Sequence, residues 1–152
     1  MLVVKDESIR SALRKNIHES GQFAILSETN DYRIAISEEK IARPDIVIVD
    51  LNVNDLFESI QALRKTFPIC KILVLSKNID SQLILGSFQA GASAYLEGQN
   101  IPDRIVEKLN ELAHGIKITP EISREIVKSF YLKKTGTLVE DDREFLNEFV
   151  KS

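Results

Sequence analysis

Two short apolar runs, IVIV at residues 46–49 and ILVL at 72–75, proceed without a polar break and then stop on Asp50 and Ser76. An apolar run of this length without alternation describes a strand covered on both faces, the situation of a parallel sheet. MLVV (1–4), FAILSE (23–28) and AYL (94–96) read as three further strands. Between the strands the apolar residues switch to helical spacing. Ile9, Ala12, Leu13 and Ile17 mark a first helix with Ser8 as its N-cap, and residues 31–42 a weaker second, closed by Pro44. Ile60, Leu63 and Phe67 mark a third, ended by Pro68, and Leu83, Ile84 and Phe88 a fourth, ended by Gly91. A fifth carries Pro102 in its first turn, Ile105, Leu109 and Leu112 along one side, and Gly115 at its end. Strand and helix alternate five times. Right-handed crossovers turn such a chain into an α/β fold, a doubly wound five-stranded parallel sheet, (βα)5, with helices on both faces.

The chain has 152 residues, 43% of them hydrophobic, enough for one core and a small appendage. Its net charge is −3, and the Lys and Arg residues are scattered, so nothing global points to nucleic acid. A single cysteine, Cys70, cannot form an internal disulfide and precedes an apolar run, as a packed small hydrophobe does. No apolar stretch approaches the ~20 residues of a membrane span, and no signal peptide opens the chain. The expected setting is cytoplasmic, with no membrane partner.

Three segments are expected. Residues 1–116 form the (βα)5 domain and 117–137 a helical linker. Residues 138–152 begin a further helix. Within the linker, ITPEISREIVKSFYL has a Thr119 cap, Pro120 in its first turn and Ile122, Ile126, Val127 and Phe130 at helical spacing. In the last segment Phe145, Leu146, Phe149 and Val150 are apolar, while Asp141 and Asp142 suit a helix N-terminus.

In a doubly wound sheet the C-terminal strand ends converge on one crevice. Those ends carry Lys5-Asp6-Glu7, Asp50, Ser76 and Glu97-Gly98. A carboxylate beside a hydroxyl can receive a phosphoryl group and sense it, provided that cations neutralise the transferring oxygens. His18 and His114 have no metal-ligand companions at useful spacing and read as surface residues. Neither a Gly-rich phosphate loop nor a nucleophile–base set is present.

The chain resembles a bacterial response-regulator receiver domain, of the LuxR/NarL-type branch of transcription factors. RPDIVIVDL resembles the phosphoacceptor strand and ILVLS the switch Ser/Thr strand. AGASAYL resembles the strand with the switch aromatic, and HGIKITPEISREIV the connection to the effector domain. The resemblance implies the flavodoxin-like receiver fold with extra C-terminal helices, and a signalling domain rather than an enzyme. It makes Asp50 the phosphoacceptor, Ser76 the switch hydroxyl and Tyr95 the switch aromatic. The family opens with two acids that hold Mg²⁺ together with the phosphoacceptor. Dropping one loop residue, the preferred match, puts Lys5 in the first acidic place and Asp6 in the second. An ungapped match puts Val4 and Lys5 there, and a further shift puts Asp6 and Glu7. After the switch aromatic the family has a lysine where this chain has Gly98, and LNVNDLFE lacks the usual Pro-Gly turn.

These departures imply a degenerate phosphorylation site. Mg²⁺ is held by one or two carboxylates plus waters, here Asp6 and Asp50 if the metal site survives; otherwise no cofactor is expected. Lys5 either forms an ion pair with Asp50 or extends into solvent. The leading expectation is an atypical receiver that controls an attached DNA-binding domain through dimerisation, with phosphorylation weak or absent. A competent receiver, phosphorylated at Asp50 by a sensor histidine kinase, and a stand-alone interaction domain are the alternatives. The resemblance implies a homodimer. For most of Leu83, Ile84, Ile105 and Leu109 a sheet-facing role is the better expectation than a dimer surface. LVEDDREFLNEF is similar to the opening of a LuxR-type helix-turn-helix domain, with Val139 in place of a threonine. No recognition helix follows it, so DNA would be bound only through a domain absent from this chain. The segment is read as a cut before that domain in preference to a native tail.

Overall fold

The structure is a computed structural model and describes residues 1–50, 55–77 and 80–114. The expected linker, the last helical segment and Gly115 lie outside the described residues. Five strands and five helices alternate: β1 (Leu2–Val3), α1 (Glu7–Ser20), β2 (Glu28–Thr29), α2 (Tyr32–Ser37), β3 (Ile46–Asp50), α3 (Leu56–Thr66), β4 (Lys71–Ser76), α4 (Ser81–Ala90), β5 (Ala94–Glu97) and α5 (Ile101–Ala113). All strand pairs are parallel, in the order β2-β1-β3-β4-β5. The order reverses between β1 and β3, so the crevice opens at their C-terminal ends.

Alternate strand residues feed two cores. Val3, Val47, Val49, Ile72 and Val74 face α2 and α3, where Ala35, Ile60 and Leu63 are wholly buried. Leu2, Val4, Ile48, Leu73 and Leu75 face α1 and α5, meeting Leu13, Ile17, Ile105 and Leu109. Each fully buried Leu or Ile contributes about 1.5–3 kcal/mol of transfer free energy. Ile84, Ile105 and Leu109 are buried, as a sheet-facing role requires; Leu83 of α4 instead reaches solvent. Cys70 is buried and His18 and His114 are exposed.

Four boundaries differ from those read off the sequence. The second strand is Glu28–Thr29, not 23–28, because β2 can pair only along β1. Leu2 lies opposite Glu28, so residues 23–26 have run past the start of β1 and have no neighbour to bond. Phe23 and Ile25 still pack inward, while Leu26 is exposed. The second helix ends at Ser37 instead of running to 42, with three-residue turns after it (Glu39 N–H to Ile36 O, Ile41 N–H to Glu38 O). Glu38 and Glu39 sit there against the negative end of the helix dipole. Asp6, not Ser8, caps α1, its Oδ1 accepting the Ile9 N–H at 3.1 Å. The fifth helix closes at Ala113 with His114 as its cap. Gly91 ends α4 as expected, at φ +124°.

Candidate functional site: a carboxylate and a hydroxyl at the strand ends

β3 and β4 run in register from Ile46↔Lys71 to Asp50↔Leu75, which sets Asp50 and Ser76 at the same end of neighbouring strands. Both are buried, Asp50 to 4% exposure and Ser76 to 5%. Ser76 pairs in turn with Glu97 of β5, and the Gly98 N–H donates to Ser76 O at 3.0 Å. The ladder thus extends one residue beyond β5 and closes the crevice on that side.

On the other side, the Lys5 backbone N–H donates to Asp50 Oδ2 at 3.1 Å. Arg10 of α1 holds the same turn through its guanidinium on Val4 O, 2.7 Å away. Sequence reading placed Lys5 beside Asp50 and the structure does so, but through the main chain. The Lys5 side chain is exposed. The ion pairs among the described residues are Arg10–Glu28, Arg14–Glu28, Arg33–Asp31 and Lys108–Glu111, so the proposed Lys5–Asp50 pair is not one of them. The physical reason is directional: a residue whose N–H points into the crevice at a strand end can send its side chain to solvent, where an ammonium keeps its hydration.

Asp6 stands next to this contact, but its Oδ1 is committed to capping α1. Among the described residues no group of three or more His, Cys, Asp or Glu side chains could hold a metal ion. Asp6 and Asp50 thus each have one carboxylate oxygen accepting a backbone N–H.

Tyr95 lies two register steps behind Glu97, half-buried, on the face that carries α3 and α4. Its ring meets Phe88 of α4 edge-on, with centroids 5.8 Å apart at 82°. Burial pushes its phenol above its ordinary pKa, and the nearby Glu97 carboxylate adds to the rise. The hydroxyl is therefore a neutral donor at physiological pH. Asp50, Ser76 and Tyr95 thus lie on three successive strands, Asp50 and Ser76 at their C-terminal ends and Tyr95 opposite Val74.

Gly98 has φ +95°, a conformation that L side chains rarely adopt. A Cβ there would stand 3.6 Å from an Arg104 guanidinium nitrogen, and that guanidinium donates to Glu97 O and Gln99 O. Sequence reading missed both Arg104 and the Lys5 amide. A backbone donor leaves no signature in side-chain chemistry, and Arg104 becomes a neighbour only once α5 has turned back over β5.

A 2-1-3-4-5 sheet with a buried carboxylate and a hydroxyl at adjacent C-terminal strand ends defines the flavodoxin-like class of signalling domain. The chain belongs to the response regulator receiver domain family, whose family model matches residues 1–110. It is 26% identical to the chemotaxis protein CheY of Thermotoga maritima over 115 residues, 74% of this chain and 96% of that protein. It is 22% identical to the transcriptional regulatory protein DegU of Brevibacillus brevis over 134 residues, 86% of this chain but 57% of that protein. A solved LuxR-family two-component response regulator from Aurantimonas sp. SI85-9A1 superposes with a TM-score of 0.69 at 27% identity, covering 85% of this chain and 94% of that one. No helix among the described residues is long and apolar enough to cross a membrane.

Proposed function

We propose that this receiver is atypical: it regulates an attached DNA-binding domain through dimerisation, and phosphate at Asp50 contributes weakly or not at all. The observation that carries this reading is the pairing of two cation-related departures around a retained acceptor. Gly98, in a left-handed conformation, stands where the family resemblance expects a lysine, and Lys5, exposed, stands where it expects an acid. Phosphoryl transfer relies on charges arranged around the transferring oxygens, and both places have changed sign or lost their charge. The similarity to DegU, a transcriptional regulatory protein, supports the DNA-binding output.

A second reading is favoured by the burial and register of Asp50 and Ser76: a competent receiver, taking phosphate from a sensor histidine kinase. Incubation with Mg²⁺ and a small-molecule phosphodonor, read by intact mass beside an Asp50→Asn control, separates the two. The expected result is no stoichiometric gain of a phosphoryl group under conditions that phosphorylate an ordinary receiver. A full gain, absent in the control, refutes the atypical reading.

A further inference from the structure

Val4 O and the Lys5 N–H belong to one peptide group. That peptide is trans, as are all others among the described residues, so its oxygen and its hydrogen point in opposite directions. On the oxygen side the Arg10 guanidinium donates at 2.7 Å. On the hydrogen side the N–H donates to Asp50 Oδ2 at 3.1 Å. A cation, a peptide dipole and a carboxylate thus follow one another from α1 into the crevice. Each of the two bonds has one ionised partner, and such bonds are roughly twice as strong as neutral ones. Polarising a carbonyl also makes the N–H of the same peptide a better donor, by about 10–30% per bond. Val4 and Asp50 are both buried, so little water screens the series. Arg10 is held from behind as well. Its Nε lies 3.9 Å from Glu28 Oε1, while Arg14 Nε donates to Glu28 Oε2 at 2.6 Å.

We propose that Arg10 is a positioning residue for Asp50: through the Val4–Lys5 peptide it strengthens the hydrogen bond that orients the carboxylate. The positive field on this flank of the crevice is then delivered by a peptide dipole backed by a guanidinium, and it survives any exchange of the side chain at position 5 except proline. An arginine that only clasped α1 to the end of β1 would make the same bond to Val4 O. The two roles differ in what reaches the Lys5 proton. The proposal rests only on Asp50 being the crevice carboxylate, which both readings of the function share.

The Lys5 amide proton reports directly on this bond in ¹H–¹⁵N spectra of the full 152-residue chain. A strong hydrogen bond to a carboxylate draws an amide proton downfield. Arg10→Met is expected to move the Lys5 proton upfield, and Arg10→Gln, which keeps a neutral donor, to move it less. Arg14→Met removes the other arginine on Glu28 and should leave it in place. Asp50→Asn should move it upfield by itself, and in that background the Arg10→Met shift should shrink, because a neutral acceptor polarises the peptide less. An unmoved Lys5 proton in Arg10→Met or Arg10→Gln, with the rest of the spectrum native, overturns the proposal. So does an Arg10→Met shift of equal size with and without the Asp50 charge, since a mere displacement of the turn acts whatever the acceptor. A shift in Arg14→Met as large as in Arg10→Met assigns the effect to Glu28 and overturns it too. None of these readouts involves phosphoryl transfer, so their failure is distinct from a failure of the atypical reading, which the phosphodonor experiment decides.

Discussion

Gly98 offers the sharpest test of the proposal that this crevice departs from the family pattern. If its departure from lysine is a backbone requirement, then any side chain there is destabilising, whatever its charge. Gly98→Ala isolates that cost, since among the described residues the new Cβ would meet only an Arg104 nitrogen at 3.6 Å, an ordinary contact. The penalty is thus conformational: holding an L residue at φ +95° costs about 1–2 kcal/mol. Lower unfolded-state entropy offsets about 0.4–1 kcal/mol of this. The net expectation is a loss of about 1 kcal/mol for Gly98→Ala, and a similar loss for Gly98→Lys. Urea unfolding of both variants should show lower midpoints at an unchanged slope. Gly21→Ala provides the internal standard, because Gly21 also has positive φ, +65°, and among the described residues nothing lies within 4 Å of its added Cβ. If Gly98→Lys is as stable as the parent while Gly21→Ala is not, the turn relaxes freely and the lysine's absence has no backbone cause.

Arg64 should be the most costly charged residue to remove: its guanidinium donates to Gly91 O at 2.8 Å, Ser93 Oγ at 3.2 Å and Cys70 O. Arg64→Met should cost about 2–4 kcal/mol by leaving these groups unpaired, and a loss below 1 kcal/mol by urea titration would contradict the assignment. A Cβ on Gly86 of α4 would come within 2.5 Å of the Phe57 ring of α3. Gly86→Ala should therefore destabilise by about 1–3 kcal/mol despite its better helix propensity, and Phe57→Leu should relieve much of that in a double-mutant cycle; additive losses would refute the clash. The Met1 amino group is buried against Ile46 O, and burial lowers its pKa from 8.0 to about 6. Between those values the unfolded chain binds the extra proton, so this group makes stability rise from pH 6 to pH 8, by about 2–3 kcal/mol. Midpoints that fall over that range would exclude it as the dominant titration.

The fold was legible because its strongest signals are local and redundant. Unbroken apolar runs such as IVIV and ILVL can hardly be anything but central parallel strands, and the structure pairs β3 with β4 along their whole length. The outer elements were less legible, since their limits depend on partners. FAILSE has strand-like composition, yet how much of it pairs is decided by the length of β1, a fact held elsewhere in the chain. The site divides in the same way. Asp50 and Ser76 could be placed from strand ends alone, and Tyr95 from the family resemblance. What Lys5 does could not, because its side-chain chemistry suggested an ion pair and its main chain makes the contact.

That contact explains how the pocket can drift while the framework holds. Asp50 is oriented by an amide, a group that every residue except proline supplies. The turn bearing it is held by Arg10 on Val4 O and by the Asp6 cap, neither of which involves the side chain at position 5. An acid and a lysine at position 5 are therefore equivalent to the backbone and opposite to the crevice. Exchanging them leaves the hydrogen bond at Asp50 in place and changes only the charge beside it, which is the property that metal binding and phosphoryl transfer depend on. Gly98 repeats the arrangement across the sheet, where its N–H extends the ladder onto Ser76 O whatever side chain the position carries. Both flanks of the crevice are thus built by main-chain groups, so its structure and its chemistry can be separated by substitution, and a chain that has kept the first can have lost the second.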